Sequence, residues 1–226
     1  GSVEWICPMD LDVREKRPGL CPRCKMKLVP GIPDPVEYPL ALTVSPRAWR
    51  AGDLIRMRLE VLHPETGKRV TKLLEMHERL FHLFLVSGDL EYFAHEHPDL
   101  QDDGTFLFET RLPKSGFYRV LGDFYPEGGT PQLAVRTIFS AGAPQSDFAT
   151  PALAENVSPS RCENLQVALR TEPAPPLAGL KTQLHFDLSP ADSLRPYLGA
   201  WGHLLAASAD LIDLIHTHPF IADGGP

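Results

Sequence analysis

The chain is short of basic charge. Lys and Arg total 22 against 29 Asp and Glu, for a net charge of −7. It therefore carries no electrostatic footprint for nucleic acid or for an acidic membrane surface. Long apolar runs are missing too, and none reaches the roughly 20 residues that span a bilayer. No membrane span is expected in this chain. Cysteine is scarce, with 4 in 226 residues. Cys7, Cys21 and Cys24 lie together near the start and Cys162 stands apart, which is not the pattern of a disulfide framework. Catalytic signatures are absent as well: there is no Ser-His-Asp arrangement, no phosphate-binding glycine loop and no HExxH helix. The chain is not expected to be an enzyme. The opening Gly1-Ser2 resembles an expression remnant, so the lack of a secretion signal excludes nothing.

What is present is a soluble-type composition, 43% apolar, with an unusual 23 prolines. Short alternating or apolar runs occur at 39–45, 54–62, 69–75, 80–87, 90–96, 105–111, 116–123 and 131–139, and again at 165–172, 180–189, 202–208 and 211–218. Turn clusters such as "HPETGK", "QDDG" and "PEGGTP" separate them. Strands at this spacing predict a mainly β protein of antiparallel, immunoglobulin-like sandwich units. The stretch 71–79 is too short and uncapped for a helix and reads as a strand end or loop. Residues 31–37 and 141–160 are rich in Pro, Ala and Ser and read as linkers. They divide the chain into a ribbon (1–30), a first β unit (38–140) and a second (161–226). Cys162 is expected to be a small buried apolar residue.

The β units contain an internal repeat. "FHLFLVSGDLEYFAHEHP" aligns without a gap on "GHLLAASADLIDLIHTHP". His82, His95 and His97 correspond to His203, His216 and His218, so that 203 − 82 = 121 and 216 − 95 = 121. On the same offset "DDG" at 102–104 matches "DGG" at 223–225. The first unit continues for three more strands beyond that point and the second does not. The reading is a second unit lacking its last strands, through truncation or because another surface covers that side.

Ser87-Gly-Asp-Leu90 fits a two-residue type II′ loop with glycine first. That loop places His82 directly opposite His95, with His97 further along the same face. Three imidazoles then converge, as a copper or zinc site requires. Met76-His77 lies just upstream, with His77 a candidate fourth ligand. The counterparts in the second unit are Tyr197 and Leu198, and its loop, Ala209-Asp210, is a weaker turn signal. If one triplet binds metal, the first is expected to. A second reading is structural: half-buried imidazoles bonded to one another or to carbonyls, holding the hairpin end together. His63 and His185 read as surface residues, and Asp102-Asp103 as solvated turn residues.

The first thirty residues, "WICPMDLDVREKRPGLCPRCKMKLVP", are too few to bury a core, so a metal is needed to organise them. Two knuckles, Cys7-Pro-Met-Asp10 and Cys21-Pro-Arg-Cys24, present thiolates suited to a four-coordinate soft or borderline ion. Met9 and Met26 each follow a cysteine by two residues, and thioethers suit copper(I). These residues resemble the short heavy-metal-binding domain, whose usual form is CPMHP…CPKCGM-L-P. It is found at the ends of copper and silver efflux adaptors and some copper-transporting ATPases. The resemblance implies Cys7, Cys21 and Cys24 as ligands of copper or zinc, and a protein partner in a metal efflux system. Asp10 stands where that family has histidine, and Lys25 where it has glycine. Asp10 remains able to ligate zinc. The pattern "MHER…HLFLVS…DL…F-x-HEHP" further resembles a group of bacterial secreted proteins with immunoglobulin-like domains. It implies a periplasmic or secreted setting and a metal-related role, and no reaction.

Overall fold

The computed structural model describes residues 4–10, 13–31, 36–142, 153–156, 158–192 and 194–219. The expected linkers fall largely, and the "DGG" at 223–225 wholly, outside these. The chain folds as two compact units, Gly1–Pro144 and Gln145–Pro226. The described residues contain β-strands and no helix. Among the described residues no helix is long and apolar enough to cross a membrane.

The first unit opens with β1 (Glu4–Ile6), β2 (Arg14–Glu15) and β3 (Val29–Gly31), a small antiparallel sheet in the order β2-β1-β3. Nine strands follow: β4 (Leu40–Ser45), β5 (Leu54–Val61), β6 (Leu73–Leu74), β7 (Phe81–Ser87), β8 (Phe93–Glu96), β9 (Asp99–Leu100), β10 (Phe106–Arg111), β11 (Gly116–Pro126) and β12 (Gln132–Ser140). They form two antiparallel sheets, β4-β5-β10-β9 and β12-β11-β7-β8, with β6 beside β11. Period-two alternation produces this arrangement. Along β5, Ile55, Met57, Leu59 and Val61 are buried while Leu54, Arg56, Arg58 and Glu60 point outward. They meet Leu40, Phe81, Leu83, Leu85, Phe106, Tyr118, Val120 and Phe124 in one core, so the two sheets pack as a sandwich. Gly122 has a packing reason: a Cβ there would meet Phe81 at 2.5 Å and Leu40 at 2.8 Å. The Tyr118 hydroxyl, buried, donates to the Lys114 carbonyl at 2.9 Å and accepts the Lys114 N–H at 2.9 Å. Asp103, expected as merely solvated, accepts from the Thr105 N–H and hydroxyl and pairs with Arg58 at 2.6 Å.

β7 is buried along its whole length. Phe81, Leu83 and Leu85 enter the sandwich core, whereas His82, Phe84 and Val86 stand on the other face, outside that cluster. The 71–79 stretch holds β6 and then a two-residue turn from Met76 to Arg79, with His77 (φ 46) and Glu78 (φ 64) both left-handed.

The second unit contains β13 (Ser160–Cys162), β14 (Leu165–Glu172), β15 (Gln183–Ser189), β16 (Leu204–Ala207) and β17 (Leu214–Thr217). The first three form one sheet and the last two a hairpin. Among its described residues only Leu198, Ala200 and Leu211 are buried. Cys162 corrects the expectation of burial: it is exposed, because β13 pairs with β14 alone among the described residues and leaves its side chains open.

Candidate metal centres

The ribbon presents one thiol from the end of a strand and two from a turn closed by the Leu20–Lys27 bridge. Cys7 follows β1 directly, and its N–H donates to the Val13 carbonyl at 3.1 Å. In the second knuckle the Cys21 N–H donates to the Met26 carbonyl and the Lys25 N–H to the Cys21 carbonyl. These bonds close each knuckle around its sulfur. Cys7, Cys21, Cys24 and Asp10 converge so that their ligand atoms all lie within 4.8 Å of one another. Sγ of Cys7 is 3.4 Å from Sγ of Cys24, and the Asp10 carboxylate is 3.5 Å from Cys21 and 3.9 Å from Cys7. Four donors around a zinc-sized ion with metal–sulfur bonds of about 2.3 Å stand roughly 3.8 Å apart. The spacing is that of one tetrahedral ion. The other Asp10 oxygen is 3.9 Å from Arg23. Met9 and Met26 lie at the surface, 71% and 43% exposed.

The thiols are electrostatically unequal. Burial opposes ionisation of Cys7, but the Asp10 and Met9 N–H groups, at 3.2 and 3.4 Å from its sulfur, and the Cys24 and Cys21 thiols outweigh it and lower its pKa. Cys24 receives an N–H from Met26, yet burial and the neighbouring Cys7 and Cys21 push it up to about 11. Ionising Cys24 is thus disfavoured beside its neighbours, a cost that a cation would offset.

The histidine triplet sits on the β7–β8 hairpin, in a register two residues from the one expected. Leu83 pairs with Glu96 and Phe84 with His95, so His95 faces Phe84 and the next pair out sets His97 opposite His82. The loop explains the difference. Gly88 does not take the positive φ that a type II′ turn demands; Leu90 does (φ 61). Asp89 accepts from the Ser87 hydroxyl at 2.5 Å and the Glu91 N–H at 3.1 Å, and the Ser87 N–H reaches the Tyr92 carbonyl, which makes a four-residue loop. Glycine at 88 serves close approach: a Cβ there would meet the Phe117 ring at 2.3 Å. An even shift keeps each side chain on its face, so the convergence survives the change of register.

Nδ1 of His82 is 3.1 Å from Nε2 of His95 and 3.2 Å from Nε2 of His97. Nε2 of His82 lies 3.0 Å from the Met76 carbonyl. The His95 ring stacks on Phe84 with centroids 4.4 Å apart. Asp123 stands opposite His82 on β11. His77 is exposed, its ring centroid 6.3 Å from that of His82, and it lies outside the three-nitrogen cluster.

The second unit reproduces the turn, the loop and the register. Leu204 pairs with Thr217, which places His203 opposite His218. Leu211 takes φ 57, and Asp210 accepts from Ser208 as Asp89 does from Ser87. Ala209 in place of Gly88 leaves the register unchanged. Nε2 of His203 is 3.0 Å from the Tyr197 carbonyl, and Nε2 of His218 is 3.0 Å from Nδ1 of His203. His216 completes the cluster. The Met76 and Tyr197 carbonyls are the site groups that sequence reasoning missed. A backbone oxygen has no residue letter; the detectable signal was a two-residue turn six positions before each first histidine.

The remaining histidines are half-buried. His63 accepts from the Glu65 and Thr66 N–H groups within its turn, and His185 lies 3.6 Å from Glu172.

Fold and site together define a β-sandwich-like protein that begins with a heavy-metal-binding ribbon: residues 4–30 match the family model described as heavy metal binding domain. The chain belongs to the family described as domain of unknown function DUF8832, whose model matches residues 37–139 and 160–226. No curated protein matches the chain.

Proposed function

We propose that this is an extracytoplasmic heavy-metal-binding protein that takes up copper or zinc for sequestration, delivery or efflux, and that it is not an enzyme. The observation that carries the reading is the convergence of Cys7, Asp10, Cys21 and Cys24 at the spacing of one ion. Three sulfurs with one carboxylate oxygen form a borderline donor set that favours zinc(II). The three thiolates without Asp10 form a trigonal set that suits copper(I). Asp10 thus decides between the metals. Replacing Asp10→Ala lowers zinc affinity at the ribbon by about tenfold or more and leaves copper(I) affinity nearly unchanged. Competition titrations of the metal-free chain measure both. A ribbon that takes up neither metal overturns the proposal.

The setting outside the cytoplasm, and a partner from a metal efflux system, rest on the resemblances of the ribbon and of the histidine hairpin. The immunoglobulin-like reading of the first unit rests on its two packed antiparallel sheets and on Tyr118, whose hydroxyl returns to the backbone four residues upstream near the start of a long strand. A second reading has its own observation. Leu180, Ile212 and Ile215 of the second unit are 60%, 65% and 62% exposed, as expected of a protein-interaction module in which the ribbon is only a structural zinc clip. Exchange separates the two: a delivery protein gives up its ribbon ion to a chelator within minutes while folded, and a clip does not.

A further inference from the structure

We propose that each histidine triplet, His82/His95/His97 and His203/His216/His218, is itself a metal site for one borderline divalent ion, copper(II) or zinc(II). The inference is independent of the ribbon.

One proton fixes which nitrogen of each first histidine can act as a donor. A backbone carbonyl only accepts hydrogen bonds, so the contact between Nε2 of His82 and the Met76 carbonyl at 3.0 Å places the proton on Nε2. The lone pair of His82 is then on Nδ1, the atom that faces the other two rings. His203 is locked in the same tautomer by the Tyr197 carbonyl at 3.0 Å. An imidazole that gives its far N–H to a carbonyl and presents the other nitrogen to a cluster has the arrangement of a metal-ligating histidine.

The distances agree with an ion more readily than with hydrogen bonds alone. Nδ1 of His82 has one lone pair in the ring plane, yet Nε2 atoms of two rings approach it at 3.1 and 3.2 Å. Two N–H donors aimed at one lone pair crowd each other. An ion at about 2.0–2.1 Å from each nitrogen relieves this, and nitrogens so spaced subtend roughly 100° at the ion. The third pair of nitrogens, on His95 and His97, lies within 4.8 Å, so the three donors converge on one side of such an ion and leave room for a fourth ligand. His97 also lines an open cleft with Arg56, Asp99, Gln101 and Glu109, and His95 and His97 are each only half-buried.

Duplication strengthens the case because it extends past the ligands. Turn, carbonyl lock, left-handed leucine, Ser–Asp loop bond and register all recur at the same offset. The donor set fixes the metal class. Three neutral imidazoles suit copper(II) and zinc(II), lack the oxygens that calcium and magnesium need, and are harder than the ribbon's thiolates.

The test uses the full chain with Cys7→Ser, Cys21→Ser and Cys24→Ser, which silences the ribbon, and with Cys162→Ser, which removes the remaining exposed thiol so that none reduces copper. Copper(II) is titrated at neutral pH and followed by electron paramagnetic resonance. The expected result is two equivalents with nitrogen hyperfine structure from imidazole. Adding His97→Ala leaves one equivalent, and adding His218→Ala as well leaves none, with unchanged far-UV circular dichroism. If these variants fail to fold, zinc titration of the unsubstituted chain decides instead. Protection of the triplet histidines from diethyl pyrocarbonate by zinc supports the sites. Copper binding below two equivalents, or histidines whose modification zinc does not slow, overturns the proposal. Failure of the ribbon reading looks different: cobalt(II) added to the unsubstituted chain then gives no thiolate charge-transfer band while the triplets still fill.

Discussion

Lys25 holds a left-handed backbone at φ 63 in the turn that shapes the second knuckle. Its N–H donates to the Cys21 carbonyl, so the conformation is part of how Cys21 and Cys24 are presented. The left-handed region costs a residue with a Cβ roughly 1–2 kcal/mol. Glycine removes that cost but adds freedom to the unfolded chain worth about 0.5–1 kcal/mol. The net gain for Lys25→Gly is about 0.5–1 kcal/mol. The ribbon's buried apolar groups are few: Val13, Leu28 and the sulfurs of Cys7 and Cys21. Its folding is therefore coupled to metal binding, and the gain appears as metal affinity tighter by about 2–5-fold. The proper reference is Lys25→Ala, which keeps the strained backbone and also loses the exposed bond from the Lys25 ammonium to the Pro22 carbonyl at 3.0 Å. Cobalt(II) titration of the full chain reads this through the thiolate charge-transfer band, to which imidazole sites do not contribute. If the glycine variant binds cobalt no more tightly than the alanine variant, the backbone strain is not linked to the metal and the reasoning fails.

The loop that sets the histidine register has its own pH signature. Burial works against the charge on Asp89, but hydrogen bonds from Lys114, Ser87 and the Glu91 N–H, with the Lys114 charge, hold it at about 2 against an ordinary 3.8. Because the folded value is the lower one, its contribution is complete above the ordinary value and disappears as pH falls toward 2. At a third exposed, the contribution is about 1 kcal/mol. Thermal melts between pH 5 and 2 are expected to show Asp89→Asn flatter than the parent, and parallel curves refute the assignment. Tyr118→Phe leaves the Lys114 N–H and carbonyl without their shared hydroxyl and is expected to cost about 1–2 kcal/mol in urea unfolding, with no change in ribbon metal content.

Much of the architecture was legible because side-chain alternation is written in residue types. Ile55, Met57, Leu59 and Val61 announce the inner face of β5, and the strand limits follow from turn residues that have few alternatives. The ribbon cluster was legible for the same reason: cysteines at knuckle spacing have little else to do in so short a segment, and Asp10 falls into place with them. The common face of His82, His95 and His97 also followed from parity alone. What sequence could not determine was the pairing within that face, because the loop was decided by groups far from it. Phe117, on another strand, gives Gly88 its purpose, and the Asp89 carboxylate draws two extra residues into the turn. Cys162 was misread because hydrophobic character sets a preference for burial while exposure depends on what else packs against its strand. The proton on His82 belongs wholly to tertiary structure. It is placed by the carbonyl of Met76, and a carbonyl oxygen is common to every residue, so only the folded backbone says which one meets the ring.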